Sequence, residues 1–215
     1  MKRTIIALLL LAATTSMEAQ YYQEGFSIIP RIGFNSSKTT NNQYWGTVRF
    51  SDVKPQDGYQ KTNHKMGYVF GIDADFAYAK RLSTTVGLSY SNEGFKLEWS
   101  DITQYMNFVN LSVLESFYVL PGLALKAGLQ YGYLESAEVK EYIYQVYGGL
   151  MAKQSNRSIY NDNNFSIPIG ISYEYRNLIL DLRYNIGLSN MYDFLNDDDY
   201  RTRSLWLTLG YRIHL

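Results

Sequence analysis

Ten charged residues fall at alternate positions of their segments, mostly on the side that also carries glycine and serine. The five basic residues are Arg31, Lys126, Arg176, Arg183 and Arg212, and the five acidic residues are Asp73, Asp75, Glu93, Glu174 and Asp181. Unpaired charge is costly in an enclosed space, so equal numbers of both signs favour a connected network of ion pairs. Rings of charge that line a selective pore are the alternative interpretation.

Catalytic chemistry has little support in the residue types. The chain has only two histidines, His64 in a long predicted loop and His214 near the opposite rim, so they cannot share a catalytic dyad or a metal ion. A hydrolase of the Ser/His or Asp/His type therefore lacks its usual general base. Asp73 and Asp75 are spaced for acid–base work, but same-face carboxylates near arginines more often have a structural role. We expect no enzymatic activity, no catalytic residues, no cofactor and no metal.

Other ligand and partner classes are excluded by composition. The run from Asn196 to Asp199 offers oxygen ligands suited to Ca²⁺, but without the spacing and glycine of a calcium loop it is interpreted as a solvated turn. With no cysteine, the chain can form neither a disulfide nor a lipid-modified N-terminal cysteine. The 20 basic and 20 acidic residues balance, so there is no basic stripe of the kind that binds nucleic acid.

Eight segments alternate between apolar and polar residues with a period of two, which predicts half-buried β-strands. They cover approximately residues 26–35, 68–78, 82–91, 109–117, 123–133, 165–175, 178–188 and 205–215. Glu115 interrupts the apolar face of the fourth segment. Beyond the third segment, Phe95, Leu97 and Trp99 occupy odd positions, and this change of phase predicts a bulge near Gly94.

The connections between these segments alternate in length. Residues 79–81, 120–122 and 176–177 are tight turns, whereas residues 37–67, 100–107, 135–164 and 190–203 are long and polar. Short periplasmic turns that alternate with longer extracellular loops are the layout of an outer-membrane barrel. An even number of strands places both termini on the periplasmic side.

Side-chain volume decides which face is turned outward. The interior of an eight-stranded barrel is just wide enough for its side chains to fill, so it cannot hold Phe, Tyr, Leu and Ile at nearly every position. Glycine, serine and the ten charged residues fit inside, and the large apolar residues are left outside. In water such a surface would be one continuous exposed patch, which argues against a soluble barrel of the lipocalin kind. We expect an eight-stranded antiparallel up-and-down transmembrane β-barrel.

The N-terminal segment has the features of a secretory signal peptide. Lys2 and Arg3 precede an apolar run from Ile5 to Ala13, and small residues lead to Ala19. That run is shorter than the roughly 20 residues that a membrane-spanning helix needs. The expected organisation is a signal peptide over residues 1–19 and a barrel domain over residues 20–215. The 21 tyrosines suit the two membrane interfaces.

Several short motifs resemble those of a known family. They are Gly33-Phe34-Asn35, the stretch from Tyr90 to Lys96, the stretch from Arg183 to Asn190, and Leu209-Gly210-Tyr211-Arg212. Over residues 25–215 the chain resembles the outer-membrane β-barrel domain proteins of Bacteroidetes, which include the PorT-like proteins. The resemblance implies an outer-membrane location, contact with outer-membrane lipid and lipopolysaccharide, and insertion by the barrel-assembly machinery.

The long loops carry the mixed aromatic and basic composition of a contact surface. The first contains Tyr44, Trp45, Phe50 and Tyr59 with Lys54, Lys61 and Lys65, and the third contains Tyr142, Tyr144 and Tyr147. They could bind an extracellular carbohydrate or protein, or form hairpins that continue the barrel beyond the membrane. We therefore expect a structural or surface-interaction barrel with a side-chain-filled lumen, with a narrow, porin-like solute channel as the alternative.

Overall fold

Eight long strands form the body of the molecule. The structure, a computed structural model, describes residues 25–40, 43–44, 60–97, 103–143, 150–155, 157–191 and 200–215. The strands are β1 Gly25–Thr39, β2 Gln60–Ala79, β3 Leu82–Leu97, β4 Thr103–Leu120, β5 Leu123–Ile143, β6 Asn163–Tyr175, β7 Leu178–Gly187 and β8 Thr202–Tyr211. The expected signal peptide and its cleavage site lie outside the described residues.

Every strand pairs antiparallel with its neighbour in sequence, and the sheet closes on itself because β1 pairs with both β2 and β8. Arg31 of β1, for example, lies opposite Gly71 of β2 and Gly210 of β8. The predicted eight-stranded antiparallel up-and-down barrel is thus confirmed. Shorter elements are the strands Gln43–Tyr44, Leu150–Ser155 and Ile213–His214 and the 3-10 helix Arg157–Ile159. Among the described residues, no helix is long and apolar enough to cross a membrane.

The three tight turns are found where the sequence predicts them, at residues 80–81, 121–122 and 176–177. Gly122 has a φ of 77°, and a side chain there would meet the backbone oxygen of Glu174 at 2.4 Å, so the turn requires glycine. These turns define what we call the turn end of the barrel, and the long connections define the loop end. At the loop end the strands run further than predicted, and Leu150–Ser155 pairs with β5 as a hairpin that extends the barrel wall.

The large apolar side chains face outward, as side-chain volume predicts. Leu180 is 51% exposed, for instance, whereas the next residue, Asp181, is 3% exposed. Stacked aromatic side chains mark both edges of the apolar surface, with Tyr68, Phe70 and Tyr90 toward the loop end and Phe76 with Tyr78 toward the turn end. The ten residue steps from Tyr68 to Tyr78 span about 25 Å along the membrane normal at a tilt of about 40°, the height of the apolar band in such barrels.

A bulge is present near Gly94, as predicted, because the register of β2 with β3 shifts between the pairs His64–Phe95 and Val69–Ser91. The facing that the change of phase indicates is wrong, however, since Phe95 and Leu97 are buried inside the barrel. The register of β3 with β4 continues through Gly94 without a shift. The extra residue lies in β2, which has four residues between His64 and Val69 where β3 has three. Trp99 lies outside the described residues.

Candidate functional site

The middle of the barrel interior holds a cluster of charged side chains from four strands. Arg183 of β7 crosses the lumen to place its Nη2 atom 3.1 Å from Oδ2 of Asp73 on β2. Its Nε atom donates to Asp181 Oδ1 at 2.6 Å, and Lys126 of β5 donates to Asp181 Oδ2 at 2.9 Å. The carboxylates of Asp73 and Asp181 thereby connect β2, β5 and β7, which are not paired with one another in the sheet.

Arg31 of β1 completes this middle cluster in a different way. Its Nη2 atom lies 3.1 Å from Asp73 Oδ1, close enough for an ion pair. No acceptor among the described residues is aligned for a hydrogen bond with its guanidinium, however, so the attraction to Asp73 is Coulombic. The guanidinium also lies 5.9 Å from the centre of the Trp206 ring, a cation–π distance.

A second cluster lies toward the turn end and is centred on Arg212, which follows β8. Its Nη1 atom donates to Asp75 Oδ2 at 2.6 Å and its Nε atom donates to Glu174 Oε1 at 2.9 Å. The other oxygen of Asp75 accepts from the hydroxyls of Ser83 and Thr85 at 3.0 and 2.6 Å. Every charged group of this cluster therefore has a charged or hydroxyl partner.

Toward the loop end, Glu93 of β3 is held by neutral donors. Its Oε1 atom accepts from Trp206 Nε1 at 3.1 Å and from the hydroxyls of Ser91 and Ser204, each at 3.2 Å. Lys65 of β2 is buried near it and donates to Asn92 Oδ1 at 2.6 Å, with its Nζ atom 4.6 Å from the centre of the Tyr105 ring. This third cluster contains one charge of each sign.

The structure corrects one member of the predicted lumen set. Arg176 is exposed, because it occupies the tight turn between β6 and β7 with a φ of 55°, and its guanidinium stacks on Tyr175 outside the lumen. Lys65 is a buried cation outside the predicted lumen set, because the sequence predicts a long loop at this position. Extending the alternation of β2 back from Asp73 and Val69 places Lys65 on the inward face. With this exchange, the interior set described here again has five charges of each sign: Arg31, Lys65, Lys126, Arg183 and Arg212 with Asp73, Asp75, Glu93, Glu174 and Asp181.

Above the charged clusters, the loop end of the interior is apolar. Phe95, Leu97, Met106, Phe108, Leu134, Ala137, Tyr160, Met191 and Tyr200 form one buried cluster there. Several of these side chains come from strand extensions that the sequence analysis treated as loops. Along the lumen, then, three charged clusters are followed by an apolar layer.

Small residues opposite the charges make the clusters possible. A Cβ atom added at Gly87 would lie 2.3 Å from Asp73 Oδ1 and 2.9 Å from the Ser112 hydroxyl. Gly87 thus provides the space in which Asp73 reaches both arginines.

Glu115, which interrupts the apolar outer face, is matched by local donors near the turn end. Its two carboxylate oxygens accept hydrogen bonds from the hydroxyls of Tyr78 and, at 2.8 Å, Thr84. A carboxylate bonded in this way is less costly at the edge of the apolar surface than a bare one.

The aromatic and basic residues proposed as a contact surface in the first and third loops lie largely outside the described residues, as does the run from Asn196 to Asp199. Within the described ranges, no group of three or more His, Cys, Asp or Glu side chains could hold a metal ion. The site that can be described is therefore the charged lumen, an arrangement suited to joining strands and filling space.

Comparisons with known proteins agree with this geometry. A family model described as "Outer membrane protein beta-barrel domain" matches residues 18–193. Among solved structures, Ail of Yersinia pestis in complex with the heparin analogue sucrose octasulfate has 17% identity and a TM-score of 0.50, covering 89% of this chain and 100% of Ail. Neisserial surface protein A has 15% identity and a TM-score of 0.45, covering 89% of this chain and 98% of that protein. OprG of Pseudomonas aeruginosa has 14% identity and a TM-score of 0.46, covering 92% and 100%. A search of curated proteins finds no match.

Proposed function

The chain belongs to the outer membrane protein beta-barrel domain family, and within that family we propose that it is a non-conducting structural barrel. Its strands anchor the protein, its side chains fill the lumen, and its long loops contact an extracellular carbohydrate or protein. In this proposal both termini are periplasmic, so the turn end faces the periplasm and the loop end faces outward.

The observation that supports this proposal is the order of side chains along the lumen. Ions that crossed the barrel would have to separate buried ion pairs such as Arg183 with Asp73 and Arg212 with Asp75. They would then have to pass the apolar layer around Phe95, Phe108 and Leu134, where no polar partner replaces lost hydration. An ion would therefore meet two different barriers, first the buried ion pairs and then the apolar layer. Their presence favours a closed barrel over a narrow solute channel.

Conductance in a planar bilayer tests the proposal directly. The wild-type barrel should show no sustained open channel, because both barriers remain in place. Lys126→Ala removes one partner of Asp181 and is expected to give rare, brief openings at most. Arg176→Ala is the matched control, since its side chain lies in the exposed turn and the variant should be as silent as the wild type. Steady, ion-selective current through the wild-type barrel would establish the channel instead.

The remaining features of the proposal concern biogenesis and relatives. We propose that residues 1–19 are a signal peptide removed during export, and that the barrel-assembly machinery inserts the chain among outer-membrane lipid and lipopolysaccharide. The motifs from Tyr90 to Lys96 and from Arg183 to Asn190 favour the Bacteroidetes PorT-like group within the family. We propose no catalytic activity and no cofactor, and the balance of 20 basic and 20 acidic residues argues against a nucleic-acid partner.

A further inference from the structure

Basic side chains lie side by side on the outer surface of the loop end. Lys38 of β1 and Arg203 of β8 are direct cross-strand partners, and both side chains are on the outward-facing positions of their strands. Ser37 of β1 and Lys65 of β2 are paired, and the next residues toward the loop end are Lys38 on β1 and His64 on β2. Lys38 and His64 therefore lie side by side, and His64 is exposed. Lys96 of β3 is exposed and pairs with Asn63, the neighbour of His64. Three basic side chains, Arg203, Lys38 and Lys96, together with the imidazole of His64, thus form what we call the cationic belt on four adjacent strands.

None of the residues that the structure describes neutralises the cationic belt. No ion pair joins Lys38, Lys96 or Arg203 to another described residue, and the His64 ring nitrogen Nδ1 contacts only the Ser36 hydroxyl, at 3.1 Å. Like charges directly opposite each other on paired strands destabilise a sheet. The Lys38–Arg203 pair is therefore unfavourable for the barrel alone and becomes favourable when an anion lies between the two side chains.

The position of the cationic belt relative to the apolar surface indicates where that anion is found. Arg203 lies one outward position beyond Leu205, and His64 lies one outward position beyond Met66. Two residues along a tilted strand rise about 5 Å, which is within the headgroup layer that adds about 5–7 Å to each side of the hydrocarbon core. Long basic side chains at this depth reach phosphate groups while their methylene stems remain against apolar surface.

The outer surface on the β5–β6 side of the same end has a different character. There the basic residue Arg157 is paired with Asp162 at 3.3 Å and receives the Tyr133 ring as a cation–π partner at 5.5 Å. Glu135 is exposed on that side and accepts from Ser136 at 3.0 Å. At the loop end, unpaired positive charge among the described outward residues is thus concentrated on β8, β1 and β3.

We propose that the cationic belt binds the phosphate groups of anionic lipid in the outer leaflet, so that lipid is fixed along one side of the barrel. This inference rests on the proposed function, because it requires the loop end to face the outer leaflet. Each Lys or Arg near an anionic membrane surface contributes about fivefold to the binding constant. Two such residues together account for a factor of about 25.

Native mass spectrometry of the folded, detergent-solubilised barrel tests the proposal with a bisphosphorylated lipid A as the probe. Wild-type protein should retain the lipid, and the K38Q/R203Q variant should bind it about 25-fold more weakly. The matched control is K80Q/R81Q, which removes two exposed basic residues at the turn end and should bind like the wild type. Dephosphorylated lipid A should bind all three proteins equally and weakly.

Three results would overturn the inference. They are equal retention of the phosphorylated lipid by K38Q/R203Q and wild type, an equal loss in K80Q/R81Q, and displacement of the lipid by inorganic phosphate at the same concentration. Heat-dependent gel mobility of each variant reports whether the barrel is closed, and bilayer recordings report whether it conducts. A closed, silent barrel without phosphate preference therefore contradicts the cationic belt and leaves the proposed function standing, whereas a conducting barrel contradicts the proposed function.

Discussion

Single carboxylates in this lumen serve more than one cation. Asp73 lies 3.1 Å from both Arg31 and Arg183, which come from different strands. A carboxylate placed in this way compensates two buried guanidinium groups at once. Removing the Asp73 carboxylate takes away negative charge that compensates the buried guanidinium groups of both arginines.

Asp73→Asn should lower the free energy of unfolding by about 3–5 kcal/mol, the usual cost of breaking a buried ion pair by removing one partner. The measurement is the urea midpoint for unfolding of the barrel from lipid vesicles. Asp162→Asn is the matched control and should have little effect, because its partner Arg157 lies on the surface, where solvent screens the ion pair. Equal effects of the two substitutions would show that the lumen is solvated rather than enclosed.

At the scale of the strand, neighbouring residues of β7 lie in different environments, one on the outer surface of the barrel and the next in its lumen. Leu180 faces outward at the middle of the apolar surface, and Asp181 faces the lumen. Leu180→Arg should therefore lower the free energy of unfolding in vesicles by about 2–4 kcal/mol, because it places a charge in lipid near the midplane.

The depth of the substituted residue provides the control for this prediction. Leu188→Arg also replaces an exposed leucine, but at the loop end of the same segment, and should cost about 0–1 kcal/mol. If both substitutions were equally tolerated, the outer surface of β7 would not be in contact with hydrocarbon.

The orientation of the whole molecule can be tested because the chain contains no cysteine, so every introduced thiol is unique. Ser158→Cys at the loop end should react with a membrane-impermeant maleimide on intact cells. Lys80→Cys at the turn end should react only after the outer membrane is permeabilised. Both positions are exposed, so accessibility to the reagent depends on the side of the membrane. Labelling of Lys80→Cys on intact cells would reverse the proposed orientation.

Much of the architecture is determined by local sequence. Alternation with period two is visible within each segment, and an eight-stranded barrel has too little interior volume for the larger face, so strand number and facing follow directly. The turns at residues 80–81, 121–122 and 176–177 are likewise local features. Nine of the ten charged residues predicted for the lumen do face it, because each has a regular position on its strand.

Only the tertiary structure decided the partners of those charges and the exceptions among them. Arg212 and Asp75, for example, are 137 positions apart in the sequence but form a hydrogen-bonded ion pair. Each charged side chain has five possible partners of opposite sign, and the strand register around the closed sheet determines which of them it contacts. The continuation of β2 beyond the predicted segment determines that Lys65 is inside, and the turn at Arg176 determines that Arg176 is outside. Inward apolar residues such as Phe95 have the same local pattern as outward ones. The apolar layer is therefore established only by the tertiary structure, in which the extended strands enclose a second core of apolar side chains.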